Sequence, residues 1–350
     1  MTAVNDVIWL RDLGDHSASE AGPKIARLGE LQRLGLQVPD GFAVTADAFS
    51  RFLTETGLST RIEALLVAVA DGDASLVQAA ATTEAMIAET TIPSATTDAI
   101  GAAYERLCID ARQTDLPVAV RSSATKEDSA TRSFAGQYAT HLGICGGERV
   151  VAAVKSCWTS LFSERALHYR LEHALSHRDS PMAVGVLALV NARSAGGAFS
   201  IHPVTGNRSR MVIEASWGWG EAVVQGLVAP DHAELDSEDG RLLEYVVAEK
   251  HVISAFDRTR GGVIEQEMPA HLRRAQVLAK EELAALFAAM KSIEGHYKVP
   301  VDVEWVVDQS RQPGEPLTIV QTRPVTAAGD ATQRRWDPLA YAMKYGMERR

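Results

Sequence analysis

The chain has 350 residues, of which 46% are hydrophobic and 23% charged, a balance that supports a buried core and excludes the low-hydrophobicity signature of disorder. With 35 Lys and Arg against 45 Asp and Glu, the net charge is −10, which argues against a broad basic surface for nucleic acid or anionic lipid while leaving room for a local basic pocket. Cys108, Cys145 and Cys157 form no C-x-x-C and cannot all pair within the chain, so neither a disulfide framework nor a thiolate zinc site is expected, and a cytoplasmic location is the simplest reading.

Val7–Leu10 reads as a short strand. A Gly/Ser/Asp-rich stretch from Gly14 to Gly22 then leads into an amphipathic helix with Ile25, Leu28, Leu31 and Leu34 on its apolar stripe. Leu34-Gly35 stops that helix, Val38-Pro39-Asp40-Gly41 is turn chemistry, and Phe42–Val44 is β-prone before Thr45 caps another helix. Residues 60–113 read as almost entirely helical, with a break around Thr91–Ser94 where Pro93 interrupts the pattern. Pro117–Val120 predicts a strand that delivers Arg121-Ser122-Ser123 into a polar segment ending at Phe134-Ala135-Gly136-Gln137. Helices over Glu148–Leu161 and Ser163–Ala174 follow. Strands are then expected at Ala183–Val190, Gly197–Ile201, Arg210–Ser216, Ala233–Asp236, Leu242–Val247 and Val263–Gln266. A last helix, Lys280–Glu294, precedes strands at Val301–Val307 and Leu317–Gln321. The most apolar stretch, Met182 to Val190, is too short to span a bilayer. The pattern predicts an α+β chain of two lobes with a ligand cleft.

Four constellations carry chemistry. Lys24 follows a Gly-rich loop at the start of a helix, where free N–H groups and the helix dipole favour phosphate. The Walker A spacing is absent, and a solvated surface lysine is the commoner fate. Arg121-Ser122-Ser123, twelve residues before Ser133–Gln137, offers a guanidinium fork and hydroxyls that match phosphate oxygens. A polar turn is the competing reading there. In Glu214–Glu221, glycines alternate around Trp217 and Trp219, consistent either with a mobile cover ordered by Glu221 or with tryptophans that plug the core. Finally, Asp302 and Glu304 share one face of a strand while Val301, Val303 and Trp305 take the other, and Gln321-Thr322-Arg323-Pro324 follows. Two carboxylates on one face and a nearby amide oxygen suit Mg²⁺, as against a merely solvated strand face. His202, ending a strand before Pro203-Val204-Thr205-Gly206, reads as a hydrogen-bonding histidine.

Taken in this order, the constellations resemble the ATP-binding domain of the phosphoenolpyruvate synthase and pyruvate phosphate dikinase family, which includes the rifampin phosphotransferases. Lys24–Gly29 is similar to its Lys-Gly-Ala-Asn-Leu-Gly, and Val38–Phe42 to its Val-Pro-Pro-Gly-Phe. Val120–Ala124 and Ser133–Gln137 resemble its Val-Arg-Ser-Ser-Ala and Ser-Phe-Ala-Gly-Gln. Cys157–Phe162, Pro203–Gly206, Glu214–Gly218, Gly220–Val224 and Gln321–Pro324 also fit, so the likeness covers about residues 7 to 326.

The resemblance implies an ATP-grasp fold, two lobes clasping a nucleotide in the cleft between them. The expected division is 1–195 for the N-terminal lobe with a helical insert, 196–326 for the C-terminal lobe, and 327–350 for a tail that docks onto a partner or its own lobe. The resemblance makes Lys24 and Arg121 phosphate ligands, Gly136 and Thr140 nucleotide-loop contacts, and Glu304, Gln321 and Arg323 the Mg²⁺ and triphosphate end. Three positions depart from the pattern: Pro23 replaces a glycine, Leu187 stands where a glutamine near the adenine is expected, and His202 replaces an aspartate.

ATP and Mg²⁺ are the implied cofactors, and Lys24, Arg121 and Arg323 the implied catalytic residues. The expected activity is that of an ATP-cleaving subunit of a split dikinase-type phosphotransferase, its partner a separate phosphohistidine-bearing subunit with a swivelling domain. Phenylphosphate synthase is similar in architecture. A MgATP-sensing regulatory module and the ATP domain of a rifampin-type antibiotic phosphotransferase are the alternatives.

Overall fold

The computed structural model describes residues 5–14, 17–125, 138–172, 181–220, 228–257 and 262–325, with side-chain placement in the last helical residues 170–172 set aside. The described residues fall into two compact units. One takes in those of Met1–Glu30, Asp40–Glu127 and Phe134–Leu189, and the other those of Leu31–Pro39 and Val190–Arg350.

In the first unit, β1 (Val7–Trp9), β2 (Gly41–Val44), β3 (Val118–Ala124), β4 (Thr140–Ile144) and β5 (Met182–Ala188) form an antiparallel sheet in the order β1-β2-β5-β3-β4. Strand alternation sorts its side chains. Phe42, Val44, Val118, Val120, Val184 and Val186 point into a core shared with helices α2 (Ala46–Glu55) and α6 (Gly147–Ser160). There Phe52 stacks on Trp158 at 5.3 Å between centroids, and Phe49 tilts against the same indole at 5.6 Å. Burying side chains of this size contributes about 1.5–3 kcal/mol each. Thr45 caps α2 as expected, its Oγ1 accepting from the Ala48 N–H.

The helical stretch expected over 60–113 is three helices: α3 (Leu58–Ala70), α4 (Leu76–Glu89) and α5 (Ser94–Asp110). Besides the break at Pro93 there is a second at residues 71–75, where Gly72 takes positive φ and Ser75 caps α4 through the Gln78 N–H. Helix α7 (Glu164–Glu172) follows α6.

The loop expected from Gly14 to Gly22 is helical in its last residues. Helix α1 (Ala18–Arg33) consists of two pieces that meet at Gly22, whose φ of 69° and ψ of 158° are non-helical. Pro23 then occupies the first position of the longer piece, where a missing N–H breaks no hydrogen bond.

In the second unit, six antiparallel strands run in the order β13-β12-β6-β7-β8-β9. They are β6 (Ala192–Phe199), β7 (Arg210–Trp217), β8 (Asp231–Asp236), β9 (Leu242–Val246), β12 (Val301–Asp308) and β13 (Thr318–Pro324). A separate hairpin pairs β10 (Val252–Phe256) with β11 (Val263–Glu267). Helix α8 (Lys280–Tyr297) packs on β12 and β6 with Leu283, Leu286, Met290 and Ile293 buried. Its Glu282 reaches back to accept the Ala279 N–H at 2.8 Å and also holds Arg193 at 2.8 Å.

The boundary expected after residue 195 falls inside β6, and the units part instead between Leu189 and Val190. The strand expected over Gly197–Ile201 is β6, which starts earlier and carries Gly196 and Gly197 in its interior, paired on both sides. The tail expected over 327–350 lies outside the described residues.

Lys250 and Asp231 make a fully buried ion pair in this unit. Asp231 also accepts from the Tyr245 hydroxyl at 3.0 Å and from the N–H groups of Ala248 and Val277 at 3.0 and 2.9 Å, while Lys250 Nζ gives a further bond to the Ala248 carbonyl. Every charge in the knot is thereby neutralised, as burial demands.

Candidate functional site

On the first unit, the sheet face opposite the aromatic core carries Gly41, Ala43, Ala119, Arg121, Ser123, Gly185 and Leu187. Its small residues let the backbone of another element come close. A Cβ on Gly185 would run into the Ile25 side chain, and one on Gly22 into the carbonyl and hydroxyl of Ser123. The first turn of the longer piece of α1, with Lys24 in it, therefore sits against β3 beside Ser123. The two phosphate-type constellations, separated by about a hundred positions in sequence, are brought together.

Arg121 is not at a strand end, as expected, but inside β3, paired with Gly185 on one side and with Thr140 of β4 on the other. Paired residues share a face. Arg121 and Thr140 thus stand side by side, and the half-buried guanidinium is set by sheet register rather than by a loop. The charge of Lys24 is felt at Cys157, whose thiol burial nonetheless pushes up to about 12. At that value the thiol is protonated and inert. Gly136 and the polar segment that ends at Gln137 lie outside the described residues.

Replacing Gly22 by alanine is expected to destabilise the chain by about 1–3 kcal/mol, because the new Cβ meets β3 in a backbone conformation that L-residues avoid. Urea denaturation reads the loss.

On the second unit, the alternation expected for the β12 carboxylates is observed. Val301, Val303 and Trp305 are fully buried, while Asp302 and Glu304 lie on the other face. Register extends this into a row across the sheet, in which Gln321, Glu304, Gly197, Glu214 and His232 are successive cross-strand partners. The next row carries Arg323, Asp302 and Phe199.

Arg323 gives both Nε and Nη2 to Asp302 Oδ2, at 2.8 and 2.7 Å, which fixes the guanidinium on this face. Gln321 Nε2 donates to Glu304 Oε1 at 2.9 Å, so a cation ligand here would be the amide's oxygen. The register shifts between Glu304 and Trp305, which pair with Gln321 and Ile319 and leave Val320 as the extra residue. That bulge reverses the parity of β13, placing Ile319 with the apolar Trp305 and Gln321 with Glu304.

Sequence reasoning missed Glu214 as a site residue. It lies in β7 within the buried run 211–216, directly after Met211-Val212-Ile213, and its carboxyl is pushed up to about 7 by burial and by the charge of Asp302. An acidic residue inside so apolar a strand was the available signal.

Trp219 is buried, donates its indole N–H to the Val190 carbonyl at 3.0 Å and meets Phe256 edge-on, while Trp217 donates to the Leu272 carbonyl. Gly218, at positive φ, passes so close to Ser254 that a Cβ would not fit. Trp219 is a packed plug, the second of the two readings drawn from the sequence, while Trp217 is half-buried. Glu221 lies outside the described residues.

Among the described residues, no three His, Cys, Asp or Glu side chains converge as a metal cage, and no helix is long and apolar enough to cross a membrane.

Residues 18–339 match the family described as pyruvate phosphate dikinase, AMP/ATP-binding domain. The chain belongs to this family. Among its relatives, a probable phosphoenolpyruvate synthase of Methanothermobacter thermautotrophicus is 40% identical over 331 residues, which is 94% of this chain and 47% of the relative. Another probable phosphoenolpyruvate synthase, of Methanocaldococcus jannaschii, is 38% identical over 91% of this chain and 26% of its own length. A rifampicin phosphotransferase of a Streptomyces species is 35% identical over 97% of this chain and 38% of that protein. The chain thus spans about a quarter to about half of the length of these curated relatives.

The three departures from this dikinase-type ATP-binding domain have local explanations. Pro23 suits the first helical position after Gly22. Leu187, 1% exposed, is paired with Gly41 and Ala119 and offers no polar atom where a glutamine would. His202 Nδ1 accepts from the N–H groups of Val204 and Thr205 at 3.2 and 3.3 Å, closing the turn as an aspartate oxygen does.

Proposed function

We propose that this chain is the ATP-binding and ATP-cleaving subunit of a split dikinase-type phosphotransferase. ATP and water are converted to AMP and phosphate, the γ-phosphoryl group ending on water, and the β-phosphoryl group passes to a histidine on a partner subunit and then to an acceptor such as phenol. The observation that carries this reading is the family match over 18–339, together with the polar sheet face on which Asp302, Glu304, Gln321 and Arg323 are held by one another.

Lys24 and Arg121 take the roles of phosphate ligands, with Gly136 and Thr140 as loop contacts. The helix start after Gly22 adds backbone N–H groups that suit an anion. Arg323, oriented by Asp302, offsets charge that develops on the transferring phosphoryl group. Electrostatic neutralisation of this kind is most of what phosphoryl transfer asks of a protein.

Mg²⁺ fits the chemistry of the donor set, since Glu304 and Gln321 present oxygens of the type a hard cation takes. When bound, it neutralises phosphate charge. Leu187 gives the adenine pocket an apolar wall in this reading, and a protein of the cytoplasm remains the expectation. Phenylphosphate synthase is the arrangement we favour. A rifampin-type acceptor is a second reading, supported by the Streptomyces relative.

The test is ATP labelled at the β or the γ phosphate, incubated with the purified chain and an extract of its source cells. The expected result is β label in an acid-labile bond on a second protein only when the chain is added, together with AMP. Binding of MgATP with no AMP formed, in the presence of that extract, would replace this reading with a regulatory one.

A further inference from the structure

Glu214 is 5% exposed, and its carboxylate accepts no hydrogen bond from any described residue. Such a group is costly to bury unless a partner arrives. The cationic and amide groups of this face are committed elsewhere in the structure: Arg323 grips Asp302, and Gln321 Nε2 is on Glu304. His232, the neighbour of Glu214 in β8, has its Nε2 3.7 Å from Glu234.

Gly197 separates Glu214 from Glu304 in the same row. A Cβ there would meet only the edge of the Phe199 ring, at 3.9 Å, so the floor between the two carboxylates is open. Two strand spacings put their backbones about 10 Å apart; Glu304 is drawn toward Gln321 and the charge felt by Glu214 is that of Asp302, so an ion over Gly197 is reached by both glutamates once the Glu304 side chain turns from Gln321. Gly196, one position earlier, has a different reason to be glycine: its Cβ would strike the Glu214 carbonyl and the Trp305 ring on the opposite face.

We propose that Glu214 is a ligand of a divalent cation seated over Gly197, so that the cation site of this sheet is the Glu214–Glu304 pair and not Glu304 with Gln321 alone. This rests on the reading of the Glu304 face as the cation side of a nucleotide site. A cation there gives Glu214 the counter-charge it lacks and keeps coordination positions for water and phosphate oxygens, as magnesium sites do.

The experiment titrates Mn²⁺ into the full chain and reads the free-ion EPR signal, with and without the non-hydrolysable analogue AMP-PNP. The variants are Glu214→Gln and Glu304→Gln. Glu214→Gln is expected to weaken Mn²⁺ binding about 10- to 100-fold, to leave AMP-PNP binding in EDTA unchanged, and to melt no lower than the parent, since it removes an unpartnered buried charge. Parent-like Mn²⁺ affinity in Glu214→Gln, with loss in Glu304→Gln, overturns the proposal and leaves the Glu304 site standing. Parent-like affinity in both variants overturns the cation reading of the whole face. Loss of AMP-PNP binding in EDTA by Glu214→Gln also overturns the proposal, because Glu214 would then touch the nucleotide itself.

Discussion

Replacing Glu304 by alanine is expected to lower Mg²⁺-dependent ATP cleavage about a hundred- to a thousandfold, the loss typical when a group that neutralises transition-state charge is removed. The fold is expected to survive. Glu304 is half-buried on the polar face of β12, while the side chains that hold the strand in place, Val303 and Trp305, are fully buried on the opposite face and are untouched by the change. The measurement is AMP formation by the chain in an extract of its source cells, alongside melting temperature and AMP-PNP binding in EDTA. An unchanged rate in a well-folded variant would remove Glu304 from the cation site. Because Asp302 remains to orient Arg323, nucleotide binding without metal is expected to be close to that of the parent.

The second large effect is on stability and concerns residues with no part in the chemistry. Lys250→Met is expected to cost about 3–5 kcal/mol, the range for breaking one side of a buried ion pair. The reason lies in what is left behind: Asp231 keeps the Tyr245 hydroxyl and two backbone N–H groups, but its charge has no counter-charge at near-zero exposure. Asp231→Leu is expected to cost at least as much, since it also strips Tyr245, Ala248 and Val277 of their acceptor. Urea denaturation measures both. A double replacement, Asp231→Leu with Lys250→Met, is expected to cost less than the sum of the two, because neither charge is then stranded. Simple additivity would show that the pair is not coupled.

Much of the candidate site was legible along the chain. Period-two alternation placed Asp302 and Glu304 on one face and Val303 and Trp305 on the other, because strand geometry is local and the burial of an apolar face enforces it. The cap at Thr45 was equally local, decided by one side-chain hydroxyl, and the break at Pro93 shows as the residue that precedes α5, four positions after α4 ends. The order of motifs, from Lys24 through Arg121 to Arg323, identified the family before any coordinates.

Other features were decided only when distant segments met. Strands β4 and β10 are short and weakly patterned, and they exist as strands because β3 and β11 supply their hydrogen bonds. Arg121 read as the end of a strand because serines follow it, yet pairing with β5 carries β3 on to Ala124. Gly22 and Ser123 touch across about a hundred residues, an approach that the missing Cβ permits but does not announce. Gln321 reaches Glu304 through a bulge at Val320 that no periodicity shows.

Which face of its own strand each residue takes was readable along the chain, since it follows from backbone geometry within a few residues. Only the tertiary structure decided the register that sets Glu214, Gly197, Glu304 and Gln321 in one row. Burial of the opposite face against α8 helps fix that pairing, which joins β6 and β7 to β12 and β13 across more than eighty positions of chain.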